Sequence, residues 1–280
     1  MGTDKRMRKK ENRRNRLDEL ATQAHRKRLR KRITNVVIIV AIIVGVALII
    51  RVSGSDTNTD ASATTVTTTS DATVATTSGT PIAPPEGRAI TGETPCPAAD
   101  GSESRAASFE KAPPTCIDTA KTYTAAVLTN KGEFTIVLDP IQAPLTVNNF
   151  VTLARYHYFD GTTCHRAIKD FVVQCGDPTA TGSGGPGYAF ADELPSAGSY
   201  RLGSLAMANS GPNTNGSQFF IITGEQGAAL PPSYTLFGQV TNGLDSTVPA
   251  LNSASNQDPA ANGVPPAETL QIISVTITEI

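Results

Sequence analysis

The chain has 280 residues, enough for one or two ordinary domains, and its formal net charge of −1 conceals two different ends. Residues 1–32 carry 14 Lys/Arg against 4 Asp/Glu, a net of +10, while the remainder carries 10 against 21, a net of −11. That split excludes a uniformly basic nucleic-acid binder and places the two ends in different surroundings.

In chain order, the basic head over 1–32 comes first. Its Lys/Arg cluster can attract anionic lipid headgroups. No aromatic is interleaved with the charges, so no nucleic-acid partner is expected. Residues 33–50, ITNVVIIVAIIVGVALII, carry no charge. Eighteen residues at about 1.5 Å each span roughly 27 Å, just enough for the hydrocarbon of a bilayer. The run Arg26-Lys-Arg-Leu-Arg-Lys-Arg32 abuts this segment, and only Arg51 follows it directly. By the positive-inside rule the head is cytoplasmic and everything after residue 50 lies outside the cytoplasm, as a single-pass cell-membrane protein. A cleaved signal peptide is the alternative, but the apolar run ends in Leu-Ile-Ile-Arg rather than in a small-residue cleavage site.

Residues 51–95 are rich in Thr, Ser, Ala and Pro and read as a disordered linker with little to bury. Residues 96–118 form a loop segment bracketed by Cys96 and Cys116. From 119 to 280 the texture is that of a folded domain. Two strands flank an Asn130-Lys-Gly132 turn, Pro144 opens a helical pattern, and short β-rich runs broken by Gly and Pro follow. Many short strands with few helices predict a mainly β, closed or nearly closed antiparallel barrel.

Four segments of this domain carry chemistry: Cys164-His-Arg-Ala-Ile, Phe171-Val-Val-Gln-Cys-Gly-Asp-Pro, Thr181-Gly-Ser-Gly-Gly-Pro-Gly, and Met207-Ala-Asn-Ser-Gly-Pro-Asn-Thr-Asn-Gly-Ser-Gln-Phe-Phe. None has a hydrolytic signature, and the Gly-rich loop lacks the Lys-Ser/Thr ending of a phosphate-binding loop. The four cysteines contain no CxxC pair, so no metal is expected. Period-2 reasoning puts Gln218 and Phe220 on one face of a strand, Phe219 and Ile221 on the other, and Val172 with Gln174 on a shared face.

In this order and at these spacings the segments resemble the cyclophilin family of peptidyl-prolyl cis/trans isomerases, from about Tyr123 to Ile280. The layout of basic head, apolar run and Thr-rich tether resembles the membrane-anchored bacterial members. The resemblance implies a closed eight-stranded antiparallel β-barrel capped by two helices. It places the catalytic pair on Arg166 and on Gln174, which would hold the guanidinium. The proline pocket falls on Phe171, Val172, Phe220 and Leu230. Ala208, Asn209, Gln218, Tyr234 and the loop around Gly182 complete the peptide groove. The implied activity is isomerisation of X-Pro bonds in exported polypeptides, assisting their folding, without nucleophile, metal or cofactor. His165 reads as structural, because the reaction transfers no proton.

Three departures stand out. Ala229 occupies the rim where many members have Trp, Val172 stands where many have Met, and Tyr234 where His is common. Binding of the cyclic peptide cyclosporin is therefore expected to be weakened. A peptide-binding or holdase module would use the same groove, but binding alone does not need Arg166. A structural spacer would need neither.

Export would put all four cysteines where disulfides persist. Cys96 is paired with Cys116, since both sit in one Pro/Ser-rich loop. Cys164 is paired with Cys175, since their strands are expected to be neighbours joined by the Lys169-Asp170 turn. The alternative is that Cys164 and Cys175 are small buried apolar residues that lie close together.

Overall fold

The computed structural model describes residues 86–280. The basic head, the apolar run 33–50 and most of the linker lie outside the described residues. Among the described residues no helix is long and apolar enough to cross a membrane.

Two short strands, β1 (Arg88–Ile90) and β2 (Ala106–Phe109), pair in parallel. The hairpin β3 (Tyr123–Thr129) and β4 (Gly132–Leu138) follows, with every other side chain buried as the alternation predicts. The turn closes because the Thr129 hydroxyl donates to Gly132 O at 2.7 Å and accepts from Lys131 N. Helix α1 (Pro144–Arg155) opens on its proline, and Glu193 accepts the free amides of Leu145 and Thr146, both at 2.9 Å. Strands β5 (Arg166–Ile168), β6 (Val172–Cys175), β7 (Ser204–Met207) and β8 (Phe219–Ile222) precede the single-turn α2 (Glu225–Ala228). Strand β9 (Leu236–Asn242), α3 (Thr247–Ser253) and β10 (Ile272–Glu279) complete the domain.

The eight strands β3 to β10 form one antiparallel sheet in the order β10-β3-β4-β9-β7-β8-β6-β5. It curls around a core whose centre is aromatic: the Phe150 ring lies 5.1 Å from Phe159, 5.6 Å from Phe219 and 5.3 Å from Phe237.

The expectation of a closed barrel is corrected. No ladder joins β5 to β10, and the curl stays open as a half-barrel. The chain just before β5 meets the start of β10 through a single Thr163–Gln271 bridge and a few backbone bonds, such as Cys164 N to Leu270 O at 2.8 Å. Another segment has already claimed the edge of β5. Ala167 N donates to Gly263 O at 2.9 Å, and Asn256 N donates to Ala167 O at 3.1 Å. Backbone groups already bonded to residues 256–263 are not free to extend the sheet.

Two boundaries are corrected as well. Strand β1 lies inside the span read as linker to residue 95, and residues 96–118 are more than a loop. Ile90, Ala106, Phe109 and Ile117 are buried in the same core as the half-barrel. The polar composition of the arm hid these few apolar positions. Both cysteine pairs are joined as expected, Cys96–Cys116 with Cα atoms 5.3 Å apart and Cys164–Cys175 at 4.0 Å.

Candidate active site

Cross-strand pairing builds the site. Arg166 on β5 faces Gln174 on β6, Gln174 faces Phe220 on β8, and Phe220 faces Ala206 on β7. The four residues form one row on the outer face of the sheet. Their sequence neighbours Val173, Phe219 and Ile221 point the other way, into the core. The alternation inferred for Phe219 against Phe220, and for Val172 with Gln174, is the one observed.

An apolar pocket flanks the row. Val172, Tyr200, Ala206, Phe220 and Ile222 form a buried cluster separate from the main core, joined by the half-exposed Phe171, Ala208, Ala228, Leu230, Tyr234 and Leu236. Tyr234 meets Phe220 edge-on, with ring centroids 5.3 Å apart. The Tyr200 hydroxyl holds Tyr234 in place by donating to its carbonyl at 2.6 Å and accepting from its amide at 3.1 Å. Phe171, Val172, Ala208, Phe220, Leu230 and Tyr234 thus come together as the resemblance implied, and Ala229 is exposed beside them. Gly182, Asn209 and Gln218 line an adjoining groove of about 680 Å³ that also touches Gln174.

Arg166 stands at the lip of the pocket, half-buried. Gln174 Oε1 accepts from its Nη1 at 3.3 Å. Asn262 accepts twice, through its backbone carbonyl from Nε and through Oδ1 from Nη2, each at 3.1 Å. Burial holds the guanidinium's pKa below its ordinary value, with Tyr234 opposing that shift only in part. An arginine shifted in this way remains a cation. Behind it runs a hydrogen-bonded chain. Gln174 Nε2 donates to Gln218 Oε1 at 2.9 Å, and Gln218 Nε2 donates to the carbonyls of Gly182 at 3.1 Å and Gly184 at 2.9 Å. Those glycines are fixed in turn by Asp177, whose Oδ2 accepts the amides of Gly182 and Gly184 at 2.7 and 3.0 Å. A Cβ at residue 184 would lie 2.0 Å from Asp177 Oδ1, so the loop closes on the carboxylate only with glycine there.

Asp177 gives a pH prediction. Burial pushes its carboxyl up, but the bonds from Thr179, Gly184 and Gly182 outweigh it and hold the pKa below the ordinary carboxylate range. A folded-state pKa below the unfolded one means that the stabilisation is complete above about pH 4 and fades as pH falls through the lower folded value. Amide protection at Gly182 and Gly184, corrected for intrinsic exchange, is expected to drop in that acid range in the native chain. Asp177→Asn should abolish that transition, and a native profile flat through the range would contradict the assignment.

Asn262, Tyr200 and Asp177 were missed in the sequence. Asn262 adopts the left-handed conformation at φ 50°. It lies 96 residues beyond Arg166, so no local pattern links the two. His165 is buried beside Arg166, its Nδ1 has no hydrogen-bond partner among the described residues, and burial lowers its pKa.

Comparison with known proteins agrees with this geometry. Residues 124–277 match the family described as "Cyclophilin type peptidyl-prolyl cis-trans isomerase/CLD". A probable peptidyl-prolyl cis-trans isomerase B of Mycobacterium tuberculosis (strain H37Rv) is 41% identical over 170 residues, covering 55% of this chain and 53% of that protein. The chain thus spans about half the length of this mycobacterial relative. A putative peptidyl-prolyl cis-trans isomerase of Staphylococcus aureus (strain USA300) is 47% identical over 146 residues, 41% of this chain and 74% of that protein. The crystal structure of a cyclophilin type isomerase from Cryptosporidium parvum superposes with a TM-score of 0.50 at 34% identity, covering 56% of this chain and 98% of that one. Its half-barrel, its outward row of Arg166, Gln174 and Phe220, and a family match over more than half of its residues all place this chain in the cyclophilin family.

Proposed function

We propose that the chain is a peptidyl-prolyl cis/trans isomerase acting on X-Pro bonds of polypeptides. One observation carries this reading: a cation, Arg166, is fixed by Gln174 and Asn262 in the same outer row as Phe220 and its apolar cluster. Rotation about an amide is opposed by about 18–20 kcal/mol of lost conjugation. The two X-Pro isomers differ by only about 0.5–1 kcal/mol, so the obstacle is kinetic. In the twisted transition state the prolyl nitrogen becomes pyramidal and gains a lone pair. A guanidinium aimed at that nitrogen binds this state better than the planar ground state, which is the condition for catalysis. Val172, Phe220 and Leu230 hold the ring, Asn209 offers backbone bonds to the peptide, and Gln174 and Asn262 are positioning residues. The Cryptosporidium protein was also crystallised in the presence of the dipeptide Ala-Pro. The full chain is expected to accelerate isomerisation of a short X-Pro peptide. A folded chain that binds such peptides without accelerating them would move the reading to a peptide-binding module.

The polybasic flank and the uncharged run 33–50 support the second part of the proposal. The chain is a single-pass membrane protein, its lipid contacts are confined to the N-terminal anchor, and its clients are exported proteins. Protease added to intact cells should release a soluble fragment beginning within the Thr-rich tether. A mature chain free in the medium, starting just after Ile50, would establish a cleaved signal peptide instead.

Ala229 caps the end of α2 and lies exposed at the pocket rim. Without a large indole there, cyclosporin is expected to inhibit more weakly than it inhibits a family member with Trp at the rim, and Ala229→Trp should strengthen inhibition. Tight inhibition of the unmodified chain would overturn this assignment of the rim.

A further inference from the structure

The matched family region begins at residue 124, yet the described structure includes an arm before it, and this arm is built into the groove. Phe109 is its point of entry. It is 2% exposed, and its amide donates to Pro186 O at 2.7 Å. Its carbonyl lies where a Cβ on Gly187 would sit, at 2.3 Å, so loop and arm meet backbone to backbone. Pro186, Gly187 and Tyr188 form one wall of the groove beside the prolyl pocket.

The Phe109 ring also reaches the floor. It packs against Tyr188 at 6.4 Å and Tyr158 at 6.1 Å. The Tyr188 hydroxyl donates to Asn149 Oδ1 at 2.7 Å, and Asn149 Nδ2 donates to Gly216 O at 2.9 Å. The Tyr158 hydroxyl is 3.0 Å from Ser217 Oγ. Gly216 and Ser217 lead directly into Gln218, which holds Gln174. One arm residue therefore supports two sides of the groove.

The arm itself is tied down at both ends. Cys96–Cys116 closes its loop, Tyr156 donates to Pro95 O at 3.0 Å, and Asn148 exchanges bonds with Cys116 N and Pro114 O at 2.6 and 2.8 Å. Cys96 is exposed, whereas Cys164 and Cys175 are each 2% exposed. The staple of the arm can thus be removed without opening the one beneath the site.

We infer that the arm 88–116 is a specificity-determining brace: through Phe109 it sets the shape of the groove that receives the residues flanking an X-Pro bond. This rests on the isomerase reading for what occupies the groove. A loosely held wall would accept large and small flanking residues more equally, whereas Arg166 keeps its two bonds to Asn262, which the arm does not touch, so kcat should change less than KM.

The test uses the full chain, Phe109→Leu, and the double variant Cys96→Ser/Cys116→Ser. Isomerisation is measured on X-Pro peptides that differ only in a bulky or a small residue flanking the bond, with thermal unfolding recorded alongside. Both variants are expected to change the ratio of KM between bulky and small peptides by about threefold or more, with kcat held within about twofold. Amide exchange at residues 184–188 should rise in both. Folded variants with unchanged ratios, or with KM shifted equally for every peptide, would overturn the inference. An inactive native chain would instead refute the isomerase reading, and dissociation constants for the same peptides would then decide the role of the brace.

Discussion

Replacing Arg166 by alanine is expected to lower kcat/KM for an X-Pro peptide by at least about tenfold, or about 1.4 kcal/mol, without unfolding the domain. The fold should survive because the guanidinium is half-buried on the outer face and contributes nothing to the aromatic core. Because its proposed partner exists only in the twisted state, kcat should fall along with kcat/KM while KM changes little. Arg166→Lys should fail to rescue. An ammonium is a point charge on a flexible stem, and it cannot keep the bonds to Gln174 and to both acceptors of Asn262. An unaltered rate in a folded Arg166→Ala chain would remove the mechanism.

The second large effect separates two adjacent phenylalanines. Phe219→Ala is expected to destabilise the domain by about 3–5 kcal/mol, because the ring is fully buried and packs edge-on against Phe150 and Phe159. The activity of its surviving folded molecules should stay near native. Phe220→Ala removes a ring from the outer pocket instead. Its loss of stability should be clearly smaller, and its kcat/KM should fall by at least about tenfold. Thermal unfolding and the isomerisation assay on the same preparations decide the matter. Equal destabilisation with equal activity per folded molecule would mean that the two faces are not functionally distinct.

This contrast marks what could be read from the amino-acid sequence. A strand alternates its side chains whatever surrounds it, so Ser217-Gln-Phe-Phe declared its two faces in advance, as did Phe171-Val-Val-Gln. The cysteine pairs were legible for a similar reason: Cys164 and Cys175 flank a turn between two short strands. The contributions that depend on distant segments were not legible. Asn262 reaches Arg166 across 96 residues. The open seam reflects a competition for the edge of β5, and no strand pattern records which competitor wins. The brace was hidden by composition, since a few buried side chains among Pro, Ser and Glu leave no periodicity to detect.

The segment 256–263 laid along β5 bears on solubility. An open half-barrel offers any unpaired strand a ready template at its edge. Here β5 is only three residues long and its backbone groups are partly bonded to residues 256–263. On the opposite edge, Val275 N is taken by the Asp160 carboxylate at 3.0 Å, and Arg155 and Lys121 pair with Glu279 near the end of β10. Both margins of the sheet are thereby partly closed to added strands, so growth of the sheet by edge-to-edge pairing, the route to aggregate, is blocked on either side.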